Sequence, residues 1–221
     1  MLKSNFRLVL ASAAALALGA VVASPASATL ILDLTQANIV GGGPFVEVDV
    51  TRLTSTTATI TFKSLLNGGN IYLLGDGGSV GVNVNAASWT LGSITGSNAG
   101  TGFTPGTWSD GGSGNEDGWG SFNQKINSFD GFTHSSDMIT FGLTDNSGTW
   151  ANDAAVLTPN ASGNEAAAHI FVTTSPANAG NSASLTGFAS VDQPVTATPE
   201  PATLALLGTA LLGFGVLRRR S

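Results

Sequence analysis

Cysteine is absent from this chain of 221 residues, so disulfides, thiolate metal ligands and a thiol nucleophile are all excluded. Packing and backbone pairing alone must hold any fold. Basic side chains are scarce, with 8 Lys and Arg against 14 Asp and Glu. That balance repels phosphate backbones and excludes nucleic acid as a partner. The only histidines are His134 and His169, and no G-x-S-x-G elbow accompanies them. A Ser-His-Asp hydrolase therefore has parts available but no pattern that specifies it. The middle of the chain also lacks a sustained helical apolar period and any long-period repeat, which argues against helix bundles, solenoids and propellers.

What the middle does contain is alternation. Val46, Val48 and Val50 alternate with Glu47, Asp49 and Thr51, and Ala58, Ile60 and Phe62 alternate with Thr57, Thr59 and Thr61. Val80, Val82 and Val84 repeat the pattern, as do Ile139, Phe141 and Leu143, and less cleanly Ala168, Ile170 and Val172. Each segment predicts a strand with one buried and one wet face, as in antiparallel sheets. Turn signals separate them: GDGG at 75–78, SDGGSGNEDG at 109–118 and TDNSG at 144–148. Many short strands with glycine-rich turns predict an all-β domain over residues 29–190, an antiparallel β-sandwich of jelly-roll-like form. Residues 191–198, with Pro194 and small or polar side chains, read as a linker.

Both ends read as signals. Lys3 and Arg7 precede an apolar stretch over 8–23, and Ala26 and Ala28 supply the small residues of an A-x-A cleavage site. This is the layout of a secretory signal peptide over 1–28, cut by signal peptidase to leave Thr29 first. At the other end, residues 202–217 are apolar. As a helix they span about 24 Å, short of a hydrocarbon core of about 30 Å. Such a transmembrane helix needs help from its flanks, and Arg218, Arg219 and Arg220 hold the cytoplasmic side. Between linker and helix stands Pro199-Glu200-Pro201. The two prolines keep Glu200 out of helical geometry and hold the segment extended, as a protease requires. Taken alone, these residues are equally consistent with a plain junction between linker and anchor.

The order VTATPEP, apolar helix and terminal RRR resembles the PEP-CTERM sorting tail, also called the ice-binding protein C-terminal domain. The resemblance implies an exosortase-like membrane protease as partner, with Pro199, Glu200 and Pro201 as the recognition element and Arg218, Arg219 and Arg220 as the retention element. It also implies transient anchoring in the inner membrane, then a surface or matrix location beside exopolysaccharide or in a biofilm. A lipid-anchor signal is the competing removable tail, but such tails normally end apolar.

If the signal peptide and the terminal arginines are lost, Arg52, Lys63 and Lys125 face 14 acidic residues, Glu200 included, a net charge of −11. Such a domain favours cations. The GGSGNED stretch at 111–117 is similar to one turn of a calcium-binding nonapeptide repeat, and Asp110, Glu116 and Asp117 are the candidate calcium ligands, read as lying on one flexible loop. A solvated glycine-rich turn is the alternative. Trp89, Trp108, Trp119, Trp150 and Tyr72 are candidates either for stacking on a glycan or for the core. Thr57, Thr59 and Thr61 share one strand face, but one strand supplies no array of the kind an ice plane needs. Calcium aside, no cofactor is expected. The functional expectation is a non-enzymatic exported protein; the alternative is a secreted hydrolase, or a lectin-like domain binding glycan or calcium. N-terminal sequencing of exported protein should begin at Thr29, and a sequence beginning at Met1 would contradict the signal-peptide reading.

Overall fold

The structure, a computed structural model, describes residues 29–97, 107–128, 135–174 and 185–191, with the side chains of 76 and 77 left out. The signal peptide, His134, residues 192–198 of the linker and the tail lie outside the described residues. Among the described residues the chain forms thirteen strands. They are β1 (Leu30–Leu34), β2 (Gln36–Ala37), β3 (Val46–Arg52), β4 (Thr57–Ser64), β5 (Leu66–Asn67), β6 (Asn70–Leu74) and β7 (Asp76–Val82), followed by β8 (Trp89–Ser97), β9 (Trp108–Glu116), β10 (Gly120–Ser128), β11 (Met138–Asp145), β12 (Ala166–Thr173) and β13 (Leu185–Ser190). No helix among the described residues is long and apolar enough to cross a membrane.

The strands form two antiparallel sheets. The five-stranded sheet runs β1-β3-β4-β11-β8. The eight-stranded sheet runs β2-β13-β12-β7-β10-β9, with β6 also against β12 and β5 against β6. Alternation explains why they face each other. On the first sheet Leu30, Leu32 and Leu34 pair with Val50, Val48 and Val46, and these with Ile60, Phe62 and Ser64. On the second, Val80, Val82, Ile126, Ala166, Ala168 and Ile170 turn to the same side. All but Ser64 join one buried core with Trp150 and Tyr72. Each large apolar side chain fully buried there contributes roughly 1.5–3 kcal/mol.

The less clean alternation of β12 has a physical cause. This strand lies inside its sheet and is buried on both faces: Ala167 and Phe171 are covered on one side as Ala168 and Ile170 are on the other. At the edge of the core, Asn152 caps a single 3₁₀ turn, Asp153–Ala155, by accepting from the Ala155 amide. Buried Asp153 accepts from the Arg52 amide at 2.5 Å, which ties that turn to the end of β3.

Two of the three expected turns are corrected. GDGG at 75–78 does not reverse the chain, since β6 and β7 both run antiparallel to β12. Leu74 pairs with Ile170 and Val80 with Ala168, so five residues of the outer strand stand opposite His169 alone, an outward excursion that Gly78 permits with φ 72°. SDGGSGNEDG at 109–118 is mostly strand β9, paired along β10, and the chain reverses only after Glu116. Glycine here lowers strand propensity without abolishing it, because backbone hydrogen bonds and the β10 partner decide. The third turn follows β11 as expected: Asp145 Oδ1 accepts from the Ser147 and Gly148 amides and from the Ser147 hydroxyl. Those donors hold the Asp145 carboxyl below its ordinary value.

Phe62, fully buried and stacked on Phe141 at 6.4 Å, tests the shared core. Phe62→Ala should cost about 3–5 kcal/mol in urea unfolding, and Thr59→Ala, on the wet face of the same strand, within about 0.5 kcal/mol. Equal losses would contradict the two-sheet packing.

Candidate functional site

The acidic stretch singled out in the sequence becomes the edge strand β9, which pulls its carboxylates apart. Asp110 pairs in register with Ile126 and Glu116 with Gly120. Six residue steps along the strand separate them, roughly 20 Å at about 3.3 Å per residue. Asp110 Oδ1 accepts from the Gly112 amide and from Gln124 Nε2, each at 2.8 Å. Asp117 is exposed in the turn beyond the strand. The structure therefore does not bring Asp110, Glu116 and Asp117 around one point. Among the described residues no group of three His, Cys, Asp or Glu side chains is placed to hold a metal ion.

Glu116 has a different role. Its side chain is completely buried and its Oε1 lies 3.0 Å from Lys125 Nζ, while Oε2 has no hydrogen-bond partner. Lys125 also donates to the Asn115 carbonyl at 3.1 Å. The β7 backbone covers the pair, and a Cβ at Gly78 would fall 2.5 Å from Lys125 Nζ and 2.8 Å from Glu116 Oε1. Any residue but glycine at 78 would displace the ion pair. Burial pushes the Glu116 carboxyl up to about 7, with Lys125 opposing the rise. Sequence reasoning missed this pair because nothing in the sequence marks Lys125 as the partner nine residues on.

The tryptophans are committed internally. The Trp89 indole donates to Gln124 Oε1, Trp108 to Ser136 Oγ, Trp119 to the Phe188 carbonyl and Trp150 to the Asn85 carbonyl. Trp150 and Tyr72 are buried, and Tyr72 meets Phe45 edge-on. Of the aromatic set, Trp89, Trp108 and Trp119 keep partial exposure. His169 points outward from its strand, half-buried, stacked on Phe188 at 4.4 Å with Nε2 2.9 Å from Thr186 Oγ1. An imidazole beside a hydroxyl is part of what a hydrolase needs, but the ring is held flat against an aromatic neighbour.

The threonines of β4 do not stand alone. Thr59 pairs with Thr51, Thr61 with Thr140, and Thr57 with Thr144, while Thr140 and Thr144 pair onward with Thr95 and Thr90. The outer face of the smaller sheet is thus a four-strand threonine array, which reading one strand at a time cannot reveal. Part of its hydroxyl chemistry is used sideways, as between Thr61 and Thr140 at 3.1 Å. The sheet's inherent twist, about 20–25° per strand, takes such rows out of a common plane. At its rim Lys63 bridges Glu47 at 2.8 Å and Asp49 at 2.5 Å. Burial, and then Glu47, raise the carboxyl of neighbouring Asp33.

A network of carboxamides organises the end of the larger sheet where the described chain stops. The Trp119 carbonyl accepts from Asn160 Nδ2 and Asn164 Nδ2, both at 3.0 Å. Ser190 Oγ donates to Asn164 Oδ1 at 2.9 Å and to the Ala166 carbonyl at 2.7 Å. The last strand is thereby clamped, and Val191 beyond it belongs to the core.

The described residues thus form an all-β domain whose core includes Val191. A family model described as the PEP-CTERM protein-sorting motif matches residues 197–220, so the chain carries that motif behind the domain. No curated protein and no solved structure matches the chain. The motif implies export, a transient membrane anchor and processing by an exosortase.

A pH series tests the buried pair. The Glu116 carboxyl rises from an ordinary 4.5 to about 7, so the folded form holds the proton more tightly than the unfolded chain. Its contribution is full below the unfolded value and is lost as pH rises toward 7. Between pH 5 and 8 the wild type should lose about 2–3 kcal/mol relative to Glu116→Gln in chemical denaturation. Parallel profiles for the two proteins would contradict the assignment.

Proposed function

We propose that this protein is a non-enzymatic surface or matrix component, delivered by the exosortase route and acting beside exopolysaccharide in a biofilm. The observation that carries the reading is the placement of the sorting motif at 197–220, directly behind a domain whose last core residue is Val191. A cut near Pro199, Glu200 and Pro201 removes none of the residues described in the sheets, so the domain should survive its own processing. The dispersal of the acidic candidates, the internal use of the indoles and the stacking of His169 all favour a structural role over catalysis. An acidic domain of this kind stays soluble and repels its copies, which suits a component spread through a hydrated polymer.

The test is processing in a host that carries the exosortase system. Intact-mass measurement should find the wild-type protein ending near 199–201. The variant with Arg218, Arg219 and Arg220 all changed to Gln should slip from the membrane before processing, because its short apolar run depends on those charges. Unchanged retention and cutting in that variant would show the arginines to be incidental, and an intact tail in exported wild type would contradict the proposed route.

A further inference from the structure

The direction in which β13 leaves the fold decides which part of the domain meets the membrane while the tail is still anchored. In the larger sheet Ser190 pairs with Ala167 and Gln36, while Leu185 pairs with Val172 at the opposite end. The exit end also holds the turn after Glu116 and the 158–165 loop, joined through Trp119, Asn160 and Asn164. The far end carries Leu66, which pairs with Ile71, which in turn pairs with Thr173. From Ser190 back to Leu185 is roughly 17 Å along the strand at about 3.3 Å per residue.

Eleven residues lead from Val191 to Ala202, where the apolar run of the tail begins. A chain of that length reaches at most about 36–40 Å even fully extended, at about 3.3–3.6 Å per residue. To turn its far end to the bilayer, the domain would have to spend about half of that reach running back along its own strand. Charge separates the exit end from the outer face of the smaller sheet. On the turn, the loop and residues 35–38 around the exit, the one exposed acid is Asp117, since Glu165 and Glu116 are buried. The other polar side chains there include Thr35, Gln36, Asn38 and Ser162, all exposed, and half-buried Asn160, uncharged groups that suit phosphate and glycerol, while Asn164 is buried behind them. The outer face of the smaller sheet, by contrast, carries Asp33, Glu47 and Asp49 around Lys63. A surface of that sign is pushed from anionic headgroups.

We propose that the exit end of the larger sheet, formed by residues 35–38, the turn after Glu116 and the 158–165 loop, is a docking surface for the headgroups of the bilayer that holds this chain's own tail. The proposal rests on the reading of the tail as a membrane anchor. Docking there keeps the Pro-Glu-Pro segment near the bilayer surface and turns Leu66 and Leu185, at the far end, away from it.

Because the chain has no cysteine, single-cysteine labelling tests this directly. Full-length Ala161→Cys and Leu66→Cys proteins, both exposed sites at opposite ends, would each carry a bimane label. They would be reconstituted in phosphatidylethanolamine and phosphatidylglycerol vesicles containing headgroup-nitroxide lipid. The expected result is at least threefold stronger quenching at 161 than at 66. Equal quenching, or stronger quenching at 66, would overturn the proposal. So would an unquenched label at 161 together with a benzophenone attached at the same cysteine that photo-cross-links to a membrane protein in membranes from cells with the exosortase system, which would assign this end to the processing enzyme. If the full chain fails to float with the vesicles, the anchor reading itself falls, and that outcome is separate from any pattern of quenching.

Discussion

One apolar layer, squeezed between two antiparallel sheets, carries this domain. With no cysteine to cross-link the chain, the opposed valines, leucines and phenylalanines of the two inner faces carry much of the stability. Their burial has to offset backbone ordering of about 1–2 kcal/mol per residue, so no strand can be dispensed with cheaply. The layer closes only when the last strand is in place. β13 sits between β12 and β2, joining the end of the domain to nearly its beginning, and Val191 enters the same core. A domain built this way cannot assemble its larger sheet until residue 191 is available.

Polar groups do more specific work at the ends of the sheets. Asn160, Asn164 and Ser190 lock the exit of β13, while Asn152 and Asp153 pin the 3₁₀ turn to β3. Each such bond contributes modestly in the net but costs more if one partner is removed and the other stays buried. Glu116 and Lys125 are the extreme case, since a lone buried charge is worse than either the pair or none. Gly78 makes room for that pair, since a Cβ there would strike Lys125 and Glu116, while a Cβ at Gly81 would crowd Phe122 at 3.2 Å. Glycine richness in this chain therefore reflects close approach within the second sheet as well as turns.

Strand patterns with a period of two were legible in the sequence because each of those strands has one wet face. Val46 to Val50, Ala58 to Phe62 and Ile139 to Leu143 sit in the structure as their alternation implied. The tail was legible as well, since its three parts stand in fixed order and match the sorting motif. What could not be read was pairing. Lys125 stands opposite Gly112 and reaches along the strand to Glu116, register lines the threonines of four strands together, and neither relation leaves a trace in linear order. The stretch at 109–118 failed for a related reason: its glycines and acids describe a turn locally, while the neighbouring strand made it β9.

Hydrogen exchange on the native protein addresses the central claim, that the domain is closed by its last strand and is complete before the tail. If β13 is an integral member of the core, its amides opposite β12 should exchange only through global unfolding, with the same free energy as those of β3 and β4. This should hold whether or not the tail has been removed. Amides of β13 that exchange much faster than those of β3, or that gain protection only when the tail is present, would contradict it.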